Sequence, residues 1–332
     1  MATAEELGER EVIKILWNCM DQAHNMVVPF GDDVSAMKWM NDEIVVLKTD
    51  MLVGRTDVPP GMSYEQAARK AVVMNVSDFA AKGSRPLGLL ISLGLPKDSK
   101  RSEIEEIGFG LNAGAKEYGV SVLGGDTSET LDLIIGISMF GEMSGGRIIQ
   151  RDGANPGDIV ATTGNFGLTS SGLRILKKGL SVAGKLRKKL VDSVLSPQAR
   201  LEEGLAIAQT GAVTASIDSS DGLAWSLHEI SQASNVGFEI DAPPIAPETE
   251  EFAAFFDLDP LELCFYGGEE YELVLTVKPE GWYEAEKAVQ QVKGDLFKIG
   301  EVTKDKGIYV KLDEKMHYVE ARGYEHFRKE NE

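Results

Sequence analysis

Short apolar runs alternate with helix-periodic segments along the first half of the chain. Residues 44–48 read as a strand and lead into an irregular stretch through Pro59, Pro60 and Gly61. Ser63 stands as an N-cap before the helical pattern of 64–74, and residues 78–82 begin a second short helix stopped near Gly83 and Pro86. Residues 87–95 form a continuous apolar run of buried-strand length. Residues 102–118 follow as a helix, capped by Ser102 and stopped at Gly119, and 120–123 and 131–141 are strands again. Residues 144–158 hold four glycines and a proline. That composition marks a boundary, giving domains at 1–145 and 146–332. The second half repeats the plan, with strands at 159–163, 213–217, 271–277, 297–299 and 308–312 and helices at 170–178, 200–210 and 223–233. The pattern predicts an α/β (α+β) fold of two domains, and the length of 332 residues fits two cores.

The chain carries 34 basic and 53 acidic residues, a formal charge of −19. A field of that sign disfavours nucleic acid and anionic membrane surfaces, although solubility alone also accounts for such acidity. An anionic small substrate would need metal or a local cationic patch. Cys19 and Cys264 are the only cysteines and stand far apart, so neither a disulfide framework nor a structural zinc site is indicated. Glu5, Glu6, Glu9, Arg10, Glu11 and Lys14 among apolar positions make the first twenty residues an amphipathic helix rather than a leader. No apolar run has membrane-spanning length, so the expected location is the cytoplasm.

Six acidic segments punctuate these elements: Gly31-Asp32-Asp33, Thr49-Asp50, Asn75-Val76-Ser77-Asp78, Gly124-Gly125-Asp126-Thr127, Asp218-Ser219-Ser220-Asp221 and Gly267-Gly268-Glu269-Glu270. At the carboxyl edge of a parallel sheet they would converge on a ligand. Two carboxylates about 4 Å apart repel by roughly 4 kcal/mol at a surface-like dielectric. Cations must offset that, and hard oxygen ligands with only four histidines in the chain point to magnesium and a phosphate substrate. Each segment also has a plain reading. Asp78 and Asp221 suit helix caps, Gly124-Gly125 suits a tight turn, and Asp32-Asp33 suits a surface loop. Glu269-Glu270 opens a strand, at the opposite strand end from the aspartates. The spacing Asn75-x-Ser77-Asp78 is echoed by Asp218-x-Ser220-Asp221, as in two halves facing a shared cleft. Arg151 can reach phosphate oxygens or solvent, and Tyr324 can stack on a ligand or anchor the terminus. The common phosphate loop, the His-Glu-x-x-His zinc motif and the serine elbow are all missing.

In this order the segments resemble the thiamine-monophosphate kinase family, within the larger group that includes aminoimidazole ribonucleotide synthetase. The resemblance rests on GDDVSAM (31–37), KTDMLV (48–53), ARKAVVMNVSDFAAKG (68–83), LGGDTS (123–128), GRIIQRDGANPGD (146–158), IDSSDGL (217–223), GGEEYEL (267–273) and GYEHF (323–327). It implies two α/β domains of the synthetase type, the amino-terminal one pairing with a second copy in a homodimer, where ATP binds. It also implies Asp33, Thr49, Asp50, Asp78, Asp126, Asp218 and Asp221 as magnesium ligands, and Gly125, Asp126, Arg151 and Ser220 at ATP. Asp57, Glu269 and Tyr324 fall at positions for thiamine phosphate, with the Tyr324 ring against the thiamine end. No catalytic base is implied, because the metal cluster carries the chemistry.

Three positions depart from the family pattern. Lys48 stands where many members have a hydroxyl residue, Asp57 lies near a usual histidine, and Glu270 replaces an Asp. The activity implied is phosphorylation of thiamine phosphate to thiamine diphosphate by ATP. A relative acting on another acceptor, and a non-catalytic nucleotide and metal sensor, are the alternatives. Selenophosphate synthesis wants a cysteine in a glycine-rich amino-terminal loop and hydrogenase maturation one at the carboxyl terminus. Neither Cys19 nor Cys264 has such a setting.

Overall fold

The structure is a computed structural model that describes residues 2–21, 23–39, 43–143 and 147–327. The expected 145/146 boundary and the terminal Lys-Glu-Asn-Glu lie outside the described residues.

The first half opens with helices α1 (Ala4–Leu7) and α2 (Glu9–Asn18), then strands β1 (Met26–Val28), β2 (Ser35–Lys38) and β3 (Ile44–Val53). Helices α3 (Gly54–Asp57) and α4 (Tyr64–Ala81) follow, then β4 (Ser84–Leu95), α5 (Arg101–Glu117), β5 (Ser121–Glu129) and β6 (Ile134–Met143). The six strands form one sheet in the order β1-β2-β3-β6-β4-β5. Only β4 and β5 run parallel; every other neighbour pair is antiparallel.

The second half contains β7 (Ile159–Thr162), α6 (Leu168–Lys178), α7 (Gly184–Leu195), α8 (Leu201–Thr210), β8 (Val213–Asp218) and α9 (Leu223–Ser234). It continues through β9 (Gly237–Ile240), α10 (Pro247–Phe256), α11 (Pro260–Tyr266), β10 (Leu273–Val277) and α12 (Trp282–Gln291). Strands β11 (Phe297–Thr303), β12 (Ile308–Leu312) and β13 (Lys315–Tyr318) close a seven-stranded sheet ordered β13-β12-β9-β11-β7-β10-β8. Here only β9 and β12 are parallel. The architecture is therefore α+β with mixed sheets, and the carboxyl-edge expectation, which needs parallel strands, does not describe it.

Helix α4 is the hinge pin of the arrangement. Ser63 caps it as expected, accepting from the Gln66 N–H while the Gln66 side chain accepts from the Ser63 N–H. The helix does not stop at 74. Residues 75–81 add no breaker, so Asn75, Ser77 and Asp78 lie inside an 18-residue helix instead of opening a new one. Thirteen of its residues are buried, as expected of a helix enclosed on nearly all sides. It packs on the inner face of the first sheet, on α5, and on α8 and β8 of the second half. Gly204 permits that last approach: a Cβ there would stand 2.1 Å from the Ala80 carbonyl oxygen. One continuous core runs from Val46, Ile135 and Val72 through Leu205 to Leu273 and Val277.

The two faces of the first sheet differ. Val46, Leu52, Leu89, Ile135, Ile137 and Met139 are buried under α4. On the other face Leu47, Met51, Leu90 and Leu123 are exposed, Leu123 by 58%. Edge strand β5 is exposed along its whole length.

Candidate functional site

Three segments far apart in sequence meet at the seam between the two sheets. Asp33 precedes β2, Asp78 sits in the last turn of α4, and Asp218 ends β8. All three are buried, and one carboxylate oxygen from each lies within 4.8 Å of the other two. Asp78 meets the negative end of its helix dipole, and Ser77 beside it donates to Asp218 Oδ2 at 2.8 Å. The two echoed motifs thus touch each other, one from a helix interior and one from a strand end.

Cations are built in. Lys48 Nζ lies 2.9 Å from Asp78 Oδ1 and 3.3 Å from Asp50 Oδ1. Lys82, fully buried, reaches Asp32 at 2.5 Å and Asp33 at 2.9 Å and donates to the Ser216 carbonyl at 2.6 Å. Arg151 donates to Asp33 from Nε at 2.8 Å and Nη2 at 2.5 Å, to the Gly31 carbonyl, and to Glu229 at 3.1 Å. The guanidinium expected at ATP is thus engaged within the chain. Glu229 is shared with Arg10 of α2.

These neighbours set the titration. Burial works to raise Asp33, but Arg151 and then Lys82 outweigh it and hold the carboxyl below its usual value. Burial raises Asp78 well above the ordinary range despite Lys48, with Asp218 and Asp50 adding to the rise. Asp218 is pushed up to about 7, first by burial and then by Asp33. Lys48 is held protonated, since Asp50 and Asp78 together overcome its burial.

Other expected residues are placed around this centre. Asp50 shares the inner face of β3 with Lys48. Thr49 points to the opposite face, where its hydroxyl donates to the Ile137 carbonyl at 3.0 Å. Asp126 is also absent from the cluster. It pairs with Ser92 in the row that runs through Gly136 to Met51, whereas Asp50 aligns with Ile137, Ile91 and Gly125. Asp126 therefore stands on the exposed face, three strand spacings or roughly 14 Å from β3. Gly125 lets β5 close on β4, since a Cβ there would meet the Ile91 carbonyl at 2.1 Å. Within one chain, Thr49 and Asp126 do not join the acidic centre.

The segment at 267–270 corrects another expectation. Because β10 runs antiparallel to β8, Leu273 pairs with Asp218 and the start of β10 lies beside the end of β8. Glu269 and the aspartates are therefore on the same side. The Glu269 and Tyr271 N–H groups donate to the carbonyls of Ser220 and Ser219, and both residues adopt left-handed backbone at φ +67° and +55°. Gly268 lies against Ser220, where a Cβ would stand 2.6 Å from the carbonyl oxygen. The Glu269 side chain pairs with Lys70, whose Nζ also donates to the Asp57 carbonyl at 2.9 Å. Asp57 itself is buried, its carboxylate accepting from the Val53 N–H. Glu270 accepts from the Gly167 and Thr169 N–H groups, and burial pushes it up to about 7.

Asp221 sits apart from the trio, where its carbonyl accepts from the Tyr324 N–H at 3.1 Å. Burial, then Glu9, pushes its carboxyl to about 6. Beside it, a cavity of about 340 Å³ is lined by Arg174, Trp225, Tyr266, Gly268 and Tyr324. Lys82, Lys70 and Glu229 were not singled out from the sequence, and Asp32 was read there only with Asp33, as an acidic segment that also suits a surface loop. A lysine closing the apolar run Phe79-Ala80-Ala81 was the one available signal, since a charge there needs a buried partner.

A divalent ion of the magnesium type fits the trio. The donors are all carboxylate oxygens, with no histidine or cysteine among them, and Lys48 already stands at their edge as a cation.

The model of the AIR synthase related protein N-terminal domain matches residues 31–143, and that of the C-terminal domain matches 155–313. The chain is 37% identical to the thiamine-monophosphate kinase of Pyrococcus horikoshii over 323 residues, covering 97% of each. It is 35% identical to that of Nitrosopumilus maritimus, covering 97% of this chain and 99% of the relative. The solved structure of AaThiL complexed with AMPPCP and TMP matches with a TM-score of 0.85 at 29% identity, covering 98% of this chain and 99% of that one. By these matches, and by an acidic centre drawn from both halves, the chain belongs to the thiamine-monophosphate kinase family of AIR synthase related proteins.

Proposed function

We propose that the chain transfers the γ-phosphoryl group of ATP to the phosphate of thiamine phosphate, giving thiamine diphosphate. The observation that carries the reading is the buried Asp33–Asp78–Asp218 trio at the seam, ringed by Lys48, Lys82 and Arg151. The relatives' shared name and the AMPPCP and TMP of the solved neighbour support it.

Both reacting groups are anionic, so the barrier is electrostatic and positional. The trio, with Asp50 and Asp221 around it, would hold magnesium, which would neutralise the phosphates and help align them. Lys48 and Lys82 fix the carboxylates before substrate arrives, so no reorganisation is needed at the moment of reaction. The acceptor phosphate oxygen is already ionised near neutral pH, and no side chain has to remove a proton. His228 fits that account, its Nε2 being bonded to the Val319 carbonyl at 2.9 Å. Glu269, set by Lys70, and Tyr324, at the mouth of the cavity, receive the thiamine end.

The reading divides the chain near 145/146, with an amino-terminal domain for ATP, magnesium and dimerisation and a carboxyl-terminal domain completing the site. The exposed face bearing Leu47, Met51, Leu90 and Leu123 meets a second copy. Thr49 and Asp126 on that face then serve magnesium, with Asp126, Gly125, Arg151 and Ser220 at ATP. Among the described residues no helix is long and apolar enough to cross a membrane, in keeping with a cytoplasmic enzyme. The test is incubation with ATP, magnesium and thiamine phosphate, with thiamine diphosphate read by chromatography. ADP release without that product would overturn the reading.

A further inference from the structure

We propose that Lys48 is a resident cation of the acidic centre, holding the place of one divalent ion, so that the chain without nucleotide binds a single ion. The inference rests on the functional reading only in taking the trio as a magnesium site.

The argument begins with charge. With the carboxylates ionised, as metal binding requires, Asp32, Asp33, Asp50, Asp78 and Asp218 bring five negative charges to the seam, where Asp221 sits apart, and Lys48, Lys82 and Arg151 bring three positive ones. Glu229, which shares Arg151, is matched by Arg10. Five minus three leaves two negative charges, the charge of one divalent cation. Without Lys48 the excess is three, which a single such ion cannot cancel.

Geometry assigns Lys48 its place. Its ammonium lies within hydrogen-bond reach of Asp78, is 3.3 Å from Asp50, and belongs to the same strand face as Asp50. Asp50 has no place in the mutual 4.8 Å group of Asp33, Asp78 and Asp218. The carboxylate that a second ion would bridge to the trio is therefore already bridged by Lys48. A compact tethered point charge does this without the desolvation of a hydrated ion. Lys82 is placed differently. Its third contact is a backbone carbonyl of β8, which makes it a fastener between the two halves.

The test compares the parent chain with Lys48→Ser and Lys48→Arg. Mn2+ is titrated without nucleotide, with free ion followed by electron paramagnetic resonance. The parent and Lys48→Arg bind one ion per chain, and Lys48→Ser binds two. Thermal unfolding in EDTA gives a second readout, in which Lys48→Ser melts several degrees below the parent and recovers on adding Mn2+. If Lys48→Ser folds only with metal, it is purified in Mn2+ and its retained metal is counted after gel filtration. Equal ion counts in parent and Lys48→Ser, or equal melting in EDTA, would overturn the proposal. Thiamine diphosphate formation by the parent is scored separately. Failure there removes the activity and leaves the ion counts standing.

Discussion

The inner and outer faces of the first sheet are built from the same strands and do opposite things. On β3, Lys48 and Asp50 face inward, and their charges are matched by partners within the chain. One residue away, Thr49 and Met51 face outward among Leu90, Leu123 and Asp126, which are exposed. The alternation of a strand thus sorts one continuous motif into a finished set and an unfinished one. A motif read as a single cluster need not be one: its even members find partners within the chain, while its odd members lie on the exposed face.

Neutralising Asp78 or Asp218 attacks the finished set directly. Asp78→Asn or Asp218→Asn should lower kcat by about 10²–10³-fold with circular dichroism unchanged; near-parental turnover would remove the trio from the mechanism. Lys82→Met tests the same set through stability. It removes the buried ammonium shared by Asp32 and Asp33, leaving Asp33 to Arg151 alone, and should cost about 3–5 kcal/mol by denaturant unfolding. A loss below about 1 kcal/mol would mean that these carboxylates are not held as described.

The unfinished set is tested by mixing. If Asp126 serves the site of a second copy, Asp126→Asn and Asp78→Asn chains are each inactive, but equal amounts co-refolded should recover about a quarter of parental activity. No recovery would return Asp126 to its own chain. Leu123→Glu should weaken the dimer about 10- to 100-fold, reading the loss of a buried leucine as about 1.5–3 kcal/mol. Sedimentation at falling concentration measures it.

The smallest effect is that of pH on the metal-free protein. Asp218 and Glu270 titrate near 7 when folded, above the ordinary carboxylate range of about 4. The folded state therefore holds protons that the unfolded state releases, and stability declines as pH rises from about 4 to 7. Asp33 has the opposite sign, but its window lies below about pH 4. Calorimetry in EDTA from pH 5 to 8 should show melting fall by several degrees, and magnesium should reverse the trend.

The sequence was legible where local chemistry decides. The Ser63 cap and the Gly119 stop at φ +67° are where the pattern put them. Long apolar runs became strands, although β3, β4 and β5 extend well past their apolar cores. Asp78 was misread as a helix start because Asn, Ser and Asp suit a cap in isolation; burial against β8 carries the helix through them. The place of Glu269 depended on strand direction, which no local pattern contains. The partners of Lys82 were hidden too, since they lie 50 and 49 residues back at Asp32 and Asp33 and 134 residues ahead at Ser216.

The contact of Gly204 with Ala80 has a practical side. Ala80 and Lys82 belong to the same helix end, and Lys82 fastens that end to β8 beside Asp218. On the proposed magnesium reading of the trio, ion affinity becomes a strain gauge for the joint. A methyl group introduced at 204 would wedge α8 from α4, and on that reading magnesium would be lost at temperatures where both sheets still stand.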